Sequence, residues 1–116
     1  MTVVYIFLGG GLGSVLRYLI SLLFTNYTFP LATLLANILS CVLLGCVLWC
    51  VQKFHLNDNV RLFLIIGFCG GLSTFSTFSN ETVDLIKSGY INYAILNIVF
   101  SISLCFSILY FFSKKL

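Results

Sequence analysis

Four long apolar runs constrain this chain more than any other feature of its sequence. They cover residues 3–24, 31–51, 62–80 and 90–112, and the only charged residue inside them is Arg17. About 20 helical residues cross a hydrocarbon core of about 30 Å, so each run is long enough to span a bilayer. Transmembrane β-strands are about half that length and alternate polar with apolar residues. The sequence therefore predicts an all-α integral membrane protein with four transmembrane helices.

The composition predicts a surface that faces lipid. Hydrophobic residues make up 60% of the chain and charged residues 8%, whereas a soluble domain carries roughly 25% charged residues. The segments between the runs are short, so we expect a single transmembrane domain over residues 1–116. The first run lacks a preceding basic segment and is too long for a signal peptide, so it is predicted to remain as a mature helix.

The charged residues predict the topology of the chain. A net charge of +3 would suggest nucleic acid as the partner of a soluble protein, but the charges here are few and lie mainly between the runs, so we expect no nucleic acid. The loop after the third run is predicted to hold Glu81, Asp84 and Lys87. The other side of the membrane carries Lys53, Arg61, Lys114 and Lys115. An excess of Lys and Arg marks the cytoplasmic side, which places both termini in the cytoplasm.

The five cysteines are predicted to pack as small hydrophobic side chains. All lie inside the runs, at Cys41, Cys46, Cys50, Cys69 and Cys105. No two of them form a CxxC pair, and the single His lies between runs, so packing is favoured over metal or redox chemistry. The sequence also lacks an evident nucleophile–base pair, and it does not predict an enzyme.

The first run contains a glycine-rich segment and one charge. Gly9 and Gly13 form a GxxxG pair, which lets another helix approach closely. Arg17 lies about 21 Å along the helix from Val3, about two-thirds of the way through the span. An Arg at that depth snorkels to the interface, pairs, or faces water, and the predicted runs offer it no Asp or Glu. In an aqueous vestibule it would attract anions.

Two other runs carry polar residues at helical spacing. These are Thr33, Asn37 and Ser40 in the second run and Asn97, Ser101 and Cys105 in the last. Residues three and four apart share a helix face, and Asn37 lies near mid-span, where an unpaired amide is costly. Both tracks are consistent with interhelical hydrogen bonds and with the lining of a polar path, and the sequence leaves these alternatives open.

The third run predicts a break in its helix. The adjacent residues Gly70 and Gly71 precede five Ser or Thr residues within 73–79. Backbone carbonyls freed at membrane depth must be satisfied by protein, water or an ion. Phe75 and Phe78 lie three residues apart, and the edge of an aromatic ring is positive. Ring edges turned into a pore would favour anions without a formal charge that traps them.

These features together resemble the Fluc (CrcB) fluoride channels. The segments GGGLGSVLRY, TLLAN and GFCGGLSTFSTFSNE follow the order of the family's motifs, and the third is the most specific. The similarity covers all four runs. The resemblance implies a passive channel that exports toxic fluoride across the cell membrane, of the bacterial inner-membrane type. It also implies an antiparallel, dual-topology dimer with two pores and a central, structural sodium ion.

The resemblance also assigns roles to individual residues. The implied fluoride pore involves Arg17, Asn37, Phe75, Thr77, Phe78 and Ser101. Thr77 is implied to face the pore between the two rings. The backbone carbonyls of Gly70 and Ser73 are implied to hold sodium. Two carbonyls from each of two subunits would give four oxygens without a carboxylate, which suits a monovalent cation better than Ca²⁺ or Mg²⁺.

The last run departs from the polar track of the family. The matching positions are Asn97, Ser101, Cys105 and Leu109, and Cys is a weak hydrogen-bond donor and Leu none. Either one of the two pores is impaired, or the chain pairs with a paralogous chain. The excess of Lys and Arg on one side favours the paralogous partner, because subunits that insert both ways need a bias close to zero.

Two other functions remain open. One is a proton-coupled exporter similar to the small multidrug resistance proteins, which needs a titratable group inside a span. The predicted runs contain no Asp, Glu or His, which argues against the exporter. The other is a non-conducting partner subunit of a mixed dimer.

Overall fold

The computed structural model describes residues 1–115, and their regular elements are all helices. In chain order they are α1 (Thr2–Leu23), α2 (Leu31–Phe54), α3 (Asp58–Leu62), a π-helix (Phe63–Cys69), α4 (Gly70–Leu72), α5 (Phe75–Lys87) and α6 (Ile91–Ser113). The elements from α3 to α5 form one helical segment with a break, called here the third segment. Within the described residues, four segments are long and apolar enough to cross a membrane, as predicted: Thr2–Leu23, Leu31–Phe54, Asp58–Lys87 and Ile91–Ser113.

Helices α2 and α3 extend into the loop that the sequence predicts between the second and third runs. Helix α2 continues past residue 51 to Phe54, and His55 ends it in the left-handed conformation, with φ of 53°. Asn57 then caps α3, because its side chain accepts a hydrogen bond of 2.8 Å from the Asn59 N–H. The polar residues at this end therefore lie mostly on helices, and the connection between them is short.

The third segment is also longer at its other end than the sequence predicts. The predicted end is residue 80, whereas Glu81, Asp84 and Lys87 lie on α5 in the structure. The helix that contains the third run therefore carries acidic residues beyond the predicted end of that run. The prediction ended the third run before its first charged residue. A helix can continue through charged residues until a residue with a non-helical backbone conformation terminates it. Gly89 terminates this helix, because its φ of 86° is a left-handed conformation that glycine tolerates best.

The predicted break in the third segment is present at Ser73 and Thr74. Both residues have extended backbone, with ψ of 153° and 123°. The Thr74 hydroxyl accepts a hydrogen bond of 3.2 Å from the Thr77 N–H and so caps α5. A hydroxyl at this position stabilises a helix start by about 1 kcal/mol. The helix therefore restarts at Phe75.

Glycines bring α1 and the π-helix into backbone contact. A Cβ added at Gly9 or Gly13 would overlap carbonyl oxygens of the π-helix. Gly67 and Gly71 are restricted in the same way by backbone atoms of α1. The predicted close approach at the GxxxG pair is therefore present, and its partner is a second pair of glycines four residues apart. This glycine interface fixes the first half of the third segment against α1.

The buried core of the single chain is small. Ile20, Ala36 and Leu72 form a buried cluster between α1, α2 and α4. Helix α2 packs along α6, and α6 also contacts α5. Many large apolar side chains on the outer faces are exposed, including Phe7 at 77% and Phe106 at 71%. Such faces are expected of helices that lie in lipid.

Candidate functional site

Asn37 of α2 holds the extended backbone at the break. Its Oδ1 accepts a hydrogen bond of 2.9 Å from the Thr74 N–H, and its Nδ2 donates to the Thr74 carbonyl at 3.5 Å. Both ends of the amide are therefore used by one residue of the third segment. An amide near mid-span is costly to leave unpaired, and here the break satisfies it. The sequence left two roles open for Asn37, interhelical hydrogen bonding and the lining of a polar path. The structure shows the interhelical hydrogen bonds.

Side chains also satisfy two of the carbonyls that precede the break. The Cys69 carbonyl accepts hydrogen bonds from the Ser40 hydroxyl at 2.8 Å and from the Ser73 hydroxyl at 2.9 Å. The Gly71 carbonyl accepts one from Arg17 Nε at 3.3 Å. Arg17 therefore has a partner inside the membrane-spanning part of the chain, and that partner is backbone.

Among residues 1–115, no side chain and no loop N–H donates to the carbonyls of Gly70, Leu72 and Ser73 at the break. The Thr74 N–H, which would pair with Gly70 in a continuous helix, is taken by Asn37. The Thr77 N–H, which would pair with Ser73, is taken by the Thr74 hydroxyl. A carbonyl at membrane depth must find a partner in protein, water or an ion. The resemblance assigns two of these three carbonyls, those of Gly70 and Ser73, to sodium.

A cavity of about 390 Å³ lies beside the break, and we call it the aromatic cavity. Its walls include Asn37, Phe75 and Phe78, together with Ser101 of α6. The two rings are tilted by 41°, with their centroids 5.8 Å apart. Phe75 is 80% exposed in the single chain. The cavity therefore combines two aromatic rings, hydroxyl residues and an amide, and the side chains that line it carry no formal charge.

A second space of about 420 Å³, the polar groove, lies on another face of α5. It is lined by Arg17, Thr33, Thr77 and Glu81 among others. Thr77, implied by the resemblance to lie between the two rings, is placed in this groove and not in the aromatic cavity. The groove also brings Glu81 into the neighbourhood of Arg17, which the sequence predicted to have no acidic neighbour in a span.

Asn97 of α6 ties that helix to α5. Its Nδ2 donates to the Thr82 hydroxyl at 2.9 Å, and that hydroxyl donates to the Phe78 carbonyl at 2.8 Å. The Ser101 hydroxyl donates to Asn97 Oδ1 at 3.3 Å. Asn97 is 1% exposed, so it joins helices and does not line the aromatic cavity. Of the predicted polar track on α6, Ser101 and Cys105 reach that cavity.

The structure thus divides the predicted site residues between two spaces. The aromatic cavity receives Asn37, Phe75, Phe78 and Ser101, and the polar groove receives Arg17 and Thr77. Sequence reasoning missed Glu81 and Thr82. The four-residue spacing of Thr77 and Glu81 would have indicated a shared face, but only if the helix had been predicted to continue beyond residue 80.

Comparisons with known proteins agree on one family. The family model described as "CrcB-like protein, Camphor Resistance (CrcB)" matches residues 4–112. A protein of Phocaeicola vulgatus is 52% identical over 87 residues, which cover 72% of each chain. One of Flavobacterium psychrophilum is 47% identical over 107 residues, 89% of this chain and 86% of the relative. One of Shewanella piezotolerans is 41% identical over 111 residues, 93% and 90%. All three are named "Fluoride-specific ion channel FluC".

Proposed function

The chain belongs to the CrcB family, and we propose that it is a fluoride-specific channel that conducts passively. The names of its relatives support fluoride as the ion. The observation that carries the proposal is the aromatic cavity, where Phe75 and Phe78 meet Ser101 without a formal charge. Ring edges attract an anion by the quadrupole of the ring. The attraction is weaker than that of a cation, so the ion can leave again, as conduction requires.

The polar groove and the aromatic cavity serve successive steps in this proposal. Arg17 in the groove raises the local concentration of anions. In the aromatic cavity the anion exchanges part of its water for ring edges and for the hydroxyl of Ser101. That hydroxyl is held by a long bond of 3.3 Å to Asn97, so it can turn towards an anion at little cost. A membrane potential that is negative inside drives anions outwards, by about 2.3 kcal/mol per 100 mV, which favours export across the plasma membrane.

We further propose that sodium is held at the break as a structural ion. The Gly70 and Ser73 carbonyls are among the acceptors there that receive no side-chain or loop donor within residues 1–115, and this supports their assignment. The ligands of the proposed ion would be neutral carbonyl oxygens, which suit a monovalent cation better than Ca²⁺ or Mg²⁺. One chain offers two such oxygens, so a second chain in antiparallel orientation would complete four.

An antiparallel dimer is also the proposed assembly, because one chain leaves its candidate pore open on one side. Phe75 is 80% exposed beside the polar backbone of the break, and extended backbone facing lipid is unfavourable. The partner is a second copy or a paralogous chain. Single engineered cysteines in the α2–α3 loop, labelled from each side of the membrane, distinguish these cases. Near-equal labelling together with flux supports self-pairing, and one-sided labelling supports a paralogous partner.

The proton-coupled exporter is not favoured. Glu81 lies within the third segment, so the argument that no span holds an acid no longer applies. What weighs against the exporter is the family and the channel name of the relatives.

The test of the proposed function is anion efflux from liposomes that contain this chain alone. We expect rapid fluoride efflux and little chloride efflux, both without a proton gradient. Equal rates for the two anions would contradict fluoride specificity. Absence of fluoride efflux from a folded chain would contradict a self-sufficient channel and favour the partner-subunit hypothesis.

A further inference from the structure

Three hydrogen bonds in series connect the backbone of α5 to the wall of the aromatic cavity. The Phe78 carbonyl accepts from the Thr82 hydroxyl at 2.8 Å, and the oxygen of that hydroxyl accepts from Asn97 Nδ2 at 2.9 Å. Asn97 Oδ1 accepts from the Ser101 hydroxyl at 3.3 Å. Thr82, Asn97 and Ser101 are all buried, and of these three only Ser101 lines the cavity.

The direction of this series is determined at its α5 end. A carbonyl oxygen can only accept, so the single proton of the Thr82 hydroxyl is used by Phe78. The Thr82 oxygen can then only accept, which turns the NH2 group of Asn97 towards Thr82 and Oδ1 towards Ser101. The reversed amide would place two acceptors against each other, and a buried acceptor without a donor is unfavourable. Thr82 therefore sets the orientation of Asn97 and, through it, the direction in which the Ser101 proton points.

Two acceptors compete for the Ser101 proton when the aromatic cavity holds an anion. In the structure the hydroxyl donates to Asn97. It can donate to an anion only after it turns, and Oδ1 of Asn97, which is 1% exposed, then has no donor among residues 1–115. The bond of 3.3 Å is longer than the usual length of about 2.7–2.8 Å for two oxygens. The loss on turning is therefore small, but it reduces the affinity for every anion that enters.

We propose that Thr82 is a positioning residue for anion binding. By holding Asn97 Oδ1 against Ser101, it lowers the affinity of the aromatic cavity for the anion. This role rests on the proposed function, in which the Ser101 hydroxyl contacts the anion. A channel must bind its ion weakly enough to release it. Competition from Asn97 supplies this weakening without a charged side chain, because Oδ1 takes back the proton when the ion leaves.

The competition is removed by the double variant Thr82→Val, Asn97→Leu. Replacing both partners of a buried hydrogen bond by apolar groups of similar shape is nearly neutral for stability, whereas replacing one leaves the other unpaired. In liposomes we expect the fluoride concentration that gives half-maximal efflux to fall by about 3-fold or more, the equivalent of one weak hydrogen bond. Thr82→Ser keeps the hydroxyl and should restore the parental concentration. An unchanged concentration in the double variant would overturn the proposal.

A cycle with Ser101→Ala separates an effect of packing from the proposed competition. Without the Ser101 hydroxyl there is no proton for which Asn97 and the anion compete. Adding the double variant to Ser101→Ala should therefore leave the half-maximal fluoride concentration of Ser101→Ala unchanged. The same decrease in both backgrounds would show that Thr82 and Asn97 act through packing, and the positioning role would be refuted.

A second measurement does not depend on efflux. In nuclear magnetic resonance spectra of the purified full chain, the NH2 group of Asn97 should exchange slowly with deuterium in the parent and in Thr82→Ser, and faster in Thr82→Val. Sodium fluoride, compared with sodium gluconate at equal ionic strength, should shift the side-chain carbonyl signal of Asn97, because Oδ1 loses its donor. Ser101→Ala should abolish this shift.

The two measurements also separate this proposal from the proposed function. Equal exchange in the parent and in Thr82→Val, or no shift with fluoride, would overturn the positioning role even if the parent conducts. If the parent shows no fluoride efflux, the proposed function fails, while the exchange rates still decide whether Thr82 holds the amide of Asn97.

Discussion

Helix α5 separates two spaces that differ in their chemistry. On one face Phe75 and Phe78 line the aromatic cavity, whose lining carries no formal charge. On another face Thr77 and Glu81 line the polar groove, which also contains Arg17. In the proposed channel, this difference would separate the attraction of anions from their passage. A charge in the aromatic cavity would hold an anion too tightly, whereas a charge beside it increases the supply.

The largest expected effect comes from the aromatic side. Phe75→Ile and Phe78→Ile keep apolar bulk but remove the positive ring edge, so fluoride flux should fall by orders of magnitude. Size-exclusion chromatography checks that the assembly persists. Phe7→Ile, at an exposed position of α1 that lines neither space, is the matched control and should conduct normally. Undiminished flux in both cavity variants would refute the role of the rings.

The next largest effect is expected from removing sodium, the proposed ligand of the break. Replacing sodium by N-methylglucamine should abolish flux, because the Gly70 and Ser73 carbonyls would lose their proposed partner. A ligand that binds only the folded state raises the melting temperature with its concentration. We therefore expect the melting temperature to rise with sodium. Full activity without any small cation would contradict the structural ion.

A smaller effect is expected in the polar groove. Arg17→Gln removes the charge that concentrates anions, and flux at low ionic strength should fall by about 10-fold. Arg17→Lys keeps the charge and should retain more flux. The difference in flux between the parent protein and Arg17→Gln should shrink as salt is added, because salt screens the attraction between Arg17 and anions in the parent protein. A deficit that does not depend on salt would show that Arg17 acts through its bond to Gly71 instead.

The smallest effect is predicted for Ser73→Ala. The variant loses one hydrogen bond to the Cys69 carbonyl, which keeps the Ser40 hydroxyl as a donor. We expect a loss of about 1 kcal/mol or less in the free energy of unfolding and normal sodium dependence, since the proposed ligand is the carbonyl. Loss of sodium dependence would indicate that the hydroxyl binds the ion.

The sequence was sufficient for features that are local in the chain. Four apolar runs predicted four spans, and Gly70 and Gly71 followed by hydroxyl residues predicted the break, because both depend on neighbouring residues. The end of α5 was misplaced because its termination depends on the left-handed conformation of Gly89. Glycine after a last turn with Lys87 is a sequence signal for a helix end, but the prediction ended the run before its first charged residue instead.

Features that depend on distant residues could not be predicted. The double hydrogen bond from Asn37 to Thr74 and the partner of the Gly9 and Gly13 pair join different helices. The placement of Thr77 away from the two rings depends on the helical phase after the break. That phase is set by the cap at Thr74 and not by the spacing of the aromatic residues.

The glycine interface has a consequence for biosynthesis. Helix α1 leaves the ribosome and enters the membrane well before the third segment has been made. Until then the backbone at Gly9 and Gly13 has no partner, and lipid cannot replace the close packing that the π-helix later provides. We therefore expect α1 to remain near the insertion machinery until Gly67 and Gly71 emerge. We then expect the joining of the first and third segments to wait until the third segment has been synthesised.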